Sequence, residues 1–305
     1  MTQNDGGRLD NKIKRSRIMI KKEVLEKLCE KIFEEKPPVL QTGFNDLDNI
    51  LSGVENSSLI TIGARPAMGK TCFMTNIMLN LLEQNKKCLF FSLEMSEEQL
   101  LKRLLCQIGE VDAHLLKMPN EISKRKKNVE KIAEALNKIS EYDLTIIDNA
   151  HNTDEIKEQI EQVKPEFVFI DYLQLIDVPA KKPRSESFEK VMRDLKKIAK
   201  DNNCIIFMTS QLSRALESRI DKRPLLSDLR ESGAIENISD VVMFIYRRDY
   251  YTNPDYDEED YARLKGQAEI IVAKNRGGCV GIIRLLFRAS IMKFLNPLLN
   301  EFDAF

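Results

Sequence analysis

The chain has 305 residues, 43% of them apolar and 31% charged, which suits one large domain, or a domain with an appendage, built on a sizeable core. Its formal net charge of −1 excludes a wholesale polyanion binder, so any nucleic-acid contact has to come from a local patch set by the fold. Six widely spaced cysteines without a C-x-x-C pair indicate a reduced, cytoplasmic protein rather than a disulfide framework. His114 and His151 have no Cys or His neighbour, which sets aside zinc sites and histidine-based triads. The longest apolar run, Val241 to Tyr246, is too short to span a bilayer, and the polar start MTQNDGGRLD is not a signal peptide.

Residues 1 to about 19 are polar and mostly basic. Ile20, Val24, Leu25, Leu28 and Ile32 then form one apolar stripe at helical spacing, closed by Lys36-Pro37-Pro38, because proline cannot continue a helix. This amphipathic helix can lie against its own core or against a neighbouring subunit. The expected organisation is an N-terminal segment with a linker helix over 1–36 and a main domain over 37–305. In that domain, strands are predicted at Leu59–Ile62, Lys87–Ser92, Leu144–Ile147, Phe167–Ile170, Cys204–Ser210 and Val241–Tyr246. Helices are predicted from Lys70 through Leu82, after the capping-box pattern Ser96-Glu97-Glu98-Gln99, over the charged stretch 121–139, and over 153–163 and 186–202. Strands alternating with helices of this length imply an α/β fold, a mostly parallel sheet with helices on both faces. Ala268–Lys274 and Val280–Phe287 flank Asn275-Arg276-Gly277-Gly278, so the sheet is predicted to end in an antiparallel hairpin with Arg276 at its tip.

The stretch Ala64-Arg65-Pro66-Ala67-Met68-Gly69-Lys70-Thr71, followed by Cys72, joins the first strand to a helix. It has the form of a phosphate-binding loop whose first glycine is replaced by alanine. Curled backbone N–H groups make a nest for phosphate oxygens, and the helix dipole adds partial positive charge. Gly69 allows close approach of the backbone, Lys70 reaches the β- and γ-phosphates, and the Thr71 hydroxyl can ligate Mg²⁺.

Ligands of open α/β sheets bind beyond the carboxyl ends of the strands, and further polar residues fall at such ends. Asp171 closes an apolar run of four and is the expected Mg²⁺-holding carboxylate. Glu94 is the available base for activating water, and Gln211 can hydrogen-bond a γ-phosphate. Each residue alone could simply begin a loop, but together with a phosphate loop they define one site.

The chain resembles DnaB-type replicative DNA helicases, specifically their RecA-like motor domain, over roughly residues 37 to 295. Six stretches carry the match in the family's order: Thr42–Asp48, Ala64–Thr71, Phe91–Ser96, Phe169–Leu175, Leu229–Glu236 and Ala273–Arg276. The resemblance implies a P-loop NTPase that assembles as a hexameric ring and uses ATP with Mg²⁺ to move along single-stranded DNA. By position it implies phosphate contact for Lys70 and Arg103, Mg²⁺ ligation for Thr71 and Asp171, catalytic base for Glu94 and γ-phosphate sensing for Gln211. Lys274 and Arg276 match the pair that reaches into the neighbouring subunit's site, with Arg276 as the finger. Arg230, Glu231 and Gly233 match the family's central DNA-binding loop, where charges of both signs are mixed, so a ring is needed to multiply a weak contact. The family's usual N-terminal helical domain has no counterpart before residue 20. That puts primase coupling in question, leaves a helicase loader as a candidate partner, and favours the 20–33 helix as a linker docking on the next subunit. Two other readings of the residues remain: a RecA-like ATPase of recombination or signalling that does not unwind, and a nucleotide-dependent binding partner without productive turnover.

Overall fold

Short apolar runs bounded by glycine or polar residues become strands, and longer runs of helical period become the helices between them. The computed structural model describes residues 25–26, 40–52, 54–178, 184–229, 232–252 and 258–297. Apart from Leu25 and Glu26, which are helical, the 20–33 helix lies outside the described residues, as do Arg230 and Glu231. The chain divides at Pro37/Pro38, and the sheet with its helices belongs to Pro38–Phe305.

In chain order, α1 (Asn45–Leu51) precedes β1 (Leu59–Ala64), the phosphate-loop turn and α2 (Lys70–Glu83). Next come β2 (Cys88–Ser92), α3 (Glu97–Gly109), α4 (Pro119–Ser123), α5 (Lys126–Glu141) and β3 (Leu144–Ile147). They lead through α6 (Thr153–Val163), β4 (Phe167–Asp171), α7 (Arg184–Asp201) and β5 (Ile205–Gln211) to α8 (Ser232–Ile238) and β6 (Val241–Tyr246). After α9 (Glu258–Leu264), β7 (Gln267–Asn275), β8 (Gly281–Arg288) and β9 (Lys293–Leu295) complete the domain.

These strands form one nine-stranded sheet in the order β3-β2-β4-β5-β1-β6-β7-β8-β9. Neighbours from β3 through β6 run parallel, and β6 through β9 pair antiparallel. Every residue of β1, β2, β4 and β6 is buried, as a sheet covered on both faces requires. Side chains alternate between two cores. Ile60, Ile62, Phe90, Phe169 and Phe207 meet Phe73, Ile77 and Met78 of α2 on one face. Leu59, Phe91, Ile170 and Met208 meet Ile156 and Ile160 of α6 and Met192 and Leu195 of α7 on the other. Phe169 stacks between Phe90 and Phe207, at centroid distances of 6.2 and 5.1 Å. Truncating such a buried ring removes its burial and leaves a cavity, so Phe169→Ala is expected to cost about 3–5 kcal/mol of stability. Chemical denaturation measures this directly, and a loss under ~1 kcal/mol would show that the face repacks without it.

The fold follows the sequence-based expectation with local differences. The capping box forms as predicted, with Ser96 Oγ accepting from Gln99 N and Gln99 Oε1 accepting from Ser96 N. The charged, helix-prone stretch 121–139 forms two helices, α4 and α5, broken at Lys124 and Arg125. The hairpin gains a third strand, β9, three residues long and too short to leave a pattern. The polar segment after β5 holds 3₁₀ turns at Arg214–Ser218 and Leu226–Asp228, and then α8, which takes in Gly233. Leu216, Leu229 and Ile235 anchor it in the core. Its charges largely pair within the domain: Arg219 with Asp228 at 2.7 Å, Arg223 with Glu269 at 2.7 Å, and Glu217 with Arg65 at 2.9 Å. Cys72, Cys88, Cys106 and Cys204 are buried and free, while Cys279 is exposed. Among the described residues no helix is long and apolar enough to cross a membrane.

Candidate nucleotide-binding site

Parallel pairing brings the carboxyl ends of the central strands to one edge, with Ala64 beside Gln211 and Ser92 beside Asp171. The chain leaves β1 there and turns into α2 through two residues in the left-handed region, Ala67 at φ 62° and Gly69 at φ 96°. A Cβ on Gly69 would meet the Phe294 ring at 3.2 Å, so backbone conformation and space both call for glycine. Gly69 caps α2 without a side-chain bond, which leaves the first N–H groups of a 14-residue helix unpaired and turned to the edge. Backbone donors and the positive end of a helix dipole together favour an anion.

Around this turn the polar side chains are held by one another. Asp171 is 1% exposed, and its two carboxylate oxygens accept from Thr71 Oγ1 at 2.6 Å and Thr209 Oγ1 at 2.5 Å. Its main-chain carbonyl accepts from the backbone N–H groups of Leu93 and Glu94 at 2.9 and 3.2 Å, which fixes the turn after β2 against the end of β4. Glu94 is thereby presented, exposed, at the mouth of the cleft. Gln174 bridges Ser210 Oγ and the Gln211 backbone N–H at 2.8 and 3.3 Å, steadying the residue whose side chain enters the same space. Lys70 Nζ rests on the Ala64 carbonyl at 3.4 Å. Burial lowers its pKa from the usual lysine value, opposed by the charges of Asp171 and Glu94.

The cleft has a volume of about 990 Å³, and Lys70, Thr71, Glu94, Arg103, Gln211 and Arg247 are among the residues that line it. Arg103 lies beside Cys72, whose thiol pKa is nevertheless pushed up by burial. Thr71 and Asp171 offer a hydroxyl and a carboxylate side by side, an oxygen donor set that fits a hard divalent cation such as Mg²⁺ completed by phosphate and water.

One predicted site residue turns its side chain elsewhere, and two lie away from this cleft. Arg65 is 7% exposed and turns away, donating to Glu217 Oε1 and the Leu212 carbonyl, both at 2.9 Å. Its guanidinium is a strut between the phosphate loop and the segment after β5, leaving only its backbone for a nucleotide. Lys274 and Arg276 lie at the far edge of the sheet. Asn275 pairs with Val241, and Val241 with Ile60, four residues before Ala64. At about 3.3 Å per residue that is roughly 13 Å of strand between this end and the phosphate loop. Of the residues expected at a DNA contact, Gly233 is exposed in the first turn of α8, with open space around it, while Arg230 and Glu231 are outside the described residues.

Sequence reading missed Thr209, Gln174 and Arg247. Arg247 follows the carboxyl end of β6, the same positional rule that singles out Glu94 and Asp171, and could have been found by it. Its guanidinium lies over the Phe287 ring at 4.6 Å and donates to Asp249 at 3.0 Å and to the Ala67 carbonyl at 3.4 Å. Thr209 and Gln174 leave no such signal, because their partners lie 38 and 36 residues away along the chain.

Sheet order, phosphate loop and the Thr71–Asp171 pair define a RecA-like nucleotide-binding α/β domain. The family described as the DnaB-like helicase C terminal domain matches residues 39–296. The replicative DNA helicase DnaB of Geobacillus stearothermophilus is 38% identical over 272 residues, an alignment covering 87% of this chain and 58% of that protein. Among solved structures, one described as an ATPase domain aligns with a TM-score of 0.83 at 34% identity, over 90% of this chain and 98% of that one. A DnaB-like replicative helicase, described with its interactions with primase, aligns with a TM-score of 0.83 at 33% identity, over 91% of this chain and 68% of that one. The chain belongs to the DnaB-like helicase C-terminal domain family. It spans somewhat more than half the length of the curated relative.

Proposed function

We propose that this chain is the motor domain of a ring-forming replicative DNA helicase, which hydrolyses ATP between adjacent subunits and uses the energy to move along single-stranded DNA and unwind duplex. The observation that carries the proposal is the convergence of Lys70, Thr71, Asp171 and Glu94 on one sheet edge, held by Asp171.

In this reading Lys70 and the α2 N-terminus hold the β- and γ-phosphates, and Arg103 adds a second cation from α3. Glu94 orients the attacking water and takes up its proton, the task of a carboxylate that faces the cleft without being tied up by its own fold. Mg²⁺, held by Thr71 with Asp171 behind it, would neutralise phosphate charge. Gln211 sits where it can contact the γ-phosphate and register its loss. Arg276 is too far from its own cleft to serve it, so a second copy of the chain, in a hexameric ring, supplies that arginine. Arg230, Glu231 and Gly233 contact the DNA backbone. Single-stranded DNA and further copies of the chain are the partners this reading requires; loader and primase contacts are not needed for it.

Strand displacement on a forked duplex, run beside an ATPase assay, tests the proposal. ATP-dependent displacement, absent with a non-hydrolysable analogue, is expected. ATP turnover stimulated by DNA without displacement would instead favour a RecA-like ATPase that does not unwind. Arg230→Ala is expected to weaken single-stranded DNA binding and to reduce the salt slope by about one. An unchanged slope and affinity would remove Arg230 from the DNA contact.

A further inference from the structure

Arg65 belongs to the phosphate loop by sequence, yet its side chain joins that loop to another part of the domain. Its Nε–H donates to Glu217 Oε1 and its Nη1–H to the Leu212 carbonyl, both at 2.9 Å. Glu217 lies in the 3₁₀ turn Arg214–Ser218, and Leu212 directly follows β5. The backbone closes the same joint, since the Leu212 N–H donates to the Ala64 carbonyl at 3.3 Å. That carbonyl also accepts from Lys70 Nζ at 3.4 Å, so the lysine of the phosphate loop and the Leu212 tie share one acceptor.

From Leu212 the connection runs on. Leu212 forms an antiparallel bridge with Leu229, and the Ser213 N–H donates to the Asp228 carbonyl at 2.8 Å. Asp228 is held in turn, accepting from Arg219 Nη2 at 2.7 Å and from the Leu225 N–H at 2.8 Å. Leu212, Leu216 and Leu229 are buried in one core, so both ends of segment 212–229 are anchored beside the phosphate loop. Leu229 leads straight into the residues read above as the DNA contact, of which Gly233 is exposed on α8.

The Arg65 guanidinium is almost wholly buried against a partly exposed carboxylate. Loss of water offsets much of the attraction in such a pair, so it adds little net stability. Its planar fork serves a carboxylate and a carbonyl at once, which fixes direction as well as distance. The pair therefore sets the phosphate loop and segment 212–229 in one relation.

We infer that Arg65, through Glu217 and Leu212, couples the nucleotide cleft to the DNA-contact segment, so that DNA bound at the one alters turnover at the other. Arg65 is a positioning residue in this role, acting through the segment it holds. The inference rests on the reading of the residues after Leu229 as a DNA contact. Coupling between two sites is reciprocal, so nucleotide must change DNA affinity through the same joint.

Glu217 is the residue to change, because neither the phosphate chemistry nor the DNA contact uses it. Full-chain Glu217→Ala and Glu217→Gln, each shown to be folded by its thermal melt, are compared with the parent in ATPase assays with and without single-stranded oligothymidine. Glutamine keeps the Oε1 acceptor for Arg65; alanine removes it. Glu217→Ala is expected to keep DNA-free turnover and KM within about twofold but to lose stimulation by about fivefold or more, the lower end of usual coupling. Glu217→Gln is expected to retain at least about half of the parent's stimulation. The change in oligothymidine affinity caused by a non-hydrolysable ATP analogue shrinks in Glu217→Ala as well. Equal stimulation in Glu217→Ala and the parent overturns the inference. So does a loss of DNA-free turnover as large as the loss with DNA, which marks Glu217 as structural only. If the parent binds oligothymidine without being stimulated, the coupling alone is overturned; if it binds none, the DNA reading fails and the coupling falls with it. Should Glu217→Ala not fold, Glu217→Asp, its carboxylate withdrawn by one methylene, decides by the same fivefold mark.

Discussion

Arg276→Ala is expected to fold, to bind nucleotide as well as the parent chain, and to lose turnover by about 10³-fold or more, the scale on which arginine fingers act. The expectation has two parts. Binding survives because the phosphate loop, Lys70 and Thr71 lie at the opposite edge of the sheet, with roughly 13 Å of β1 between. Stability survives because Arg276 is half exposed, and its pair with Asp240 is of the surface kind worth about 0–1 kcal/mol. Turnover fails because the charge that builds on the transferred phosphoryl group loses a cation present only in the assembled site. Fluorescent-nucleotide titration and steady-state ATPase measured on one preparation separate the two parts. A variant that binds and also hydrolyses like the parent would return Arg276 to a solvated turn residue.

The second large effect is a contrast between two residues at the opposite edge. Glu94→Gln is expected to keep nucleotide affinity and lower kcat by about 10²–10⁴-fold, the usual contribution of a placed general base. The side chain is exposed in the cleft, while its backbone N–H is tied to the Asp171 carbonyl at 3.2 Å, so the amide should occupy the same place without disturbing the turn. Lys70→Ala is expected to lose affinity as well as turnover. Its ammonium is partly buried near the charges of Asp171 and Glu94, and a ground-state phosphate would become its main partner. The split shows in KM against kcat: both change for Lys70→Ala, kcat alone for Glu94→Gln. Undiminished turnover in Glu94→Gln would take the base role from Glu94.

What was legible in the sequence is what is local along the chain. The turn Ala64–Thr71 announces itself because strand, loop and helix are consecutive, and Asp171 and Glu94 because each ends or follows an apolar strand. The α/β alternation is legible for the same reason. Contacts between distant segments are not. Arg65 has the look of a phosphate-loop cation, but its guanidinium is taken by Glu217 and Leu212, about 150 residues on. Thr209 is one more polar residue in an apolar strand until β4 and β5 pair and set it on Asp171. The Lys274-x-Arg276 spacing marks two cations near a turn. Only the packing of β7 beside α8 shows that within the chain one rests on main-chain carbonyls and the other on Asp240. The polar stretch after β5 reads as a loop of mixed charge because two of its ion pairs, Arg223 with Glu269 and Glu217 with Arg65, cross to distant elements.

The proposal as a whole turns on a site completed by a second copy of the chain, and the most direct measurement is specific ATPase activity against protein concentration, with mass followed by light scattering on the same samples. A site shared between subunits predicts that activity per chain falls on dilution in step with the loss of the assembled species. Constant activity per chain, from a species that scatters as a monomer throughout, would contradict it.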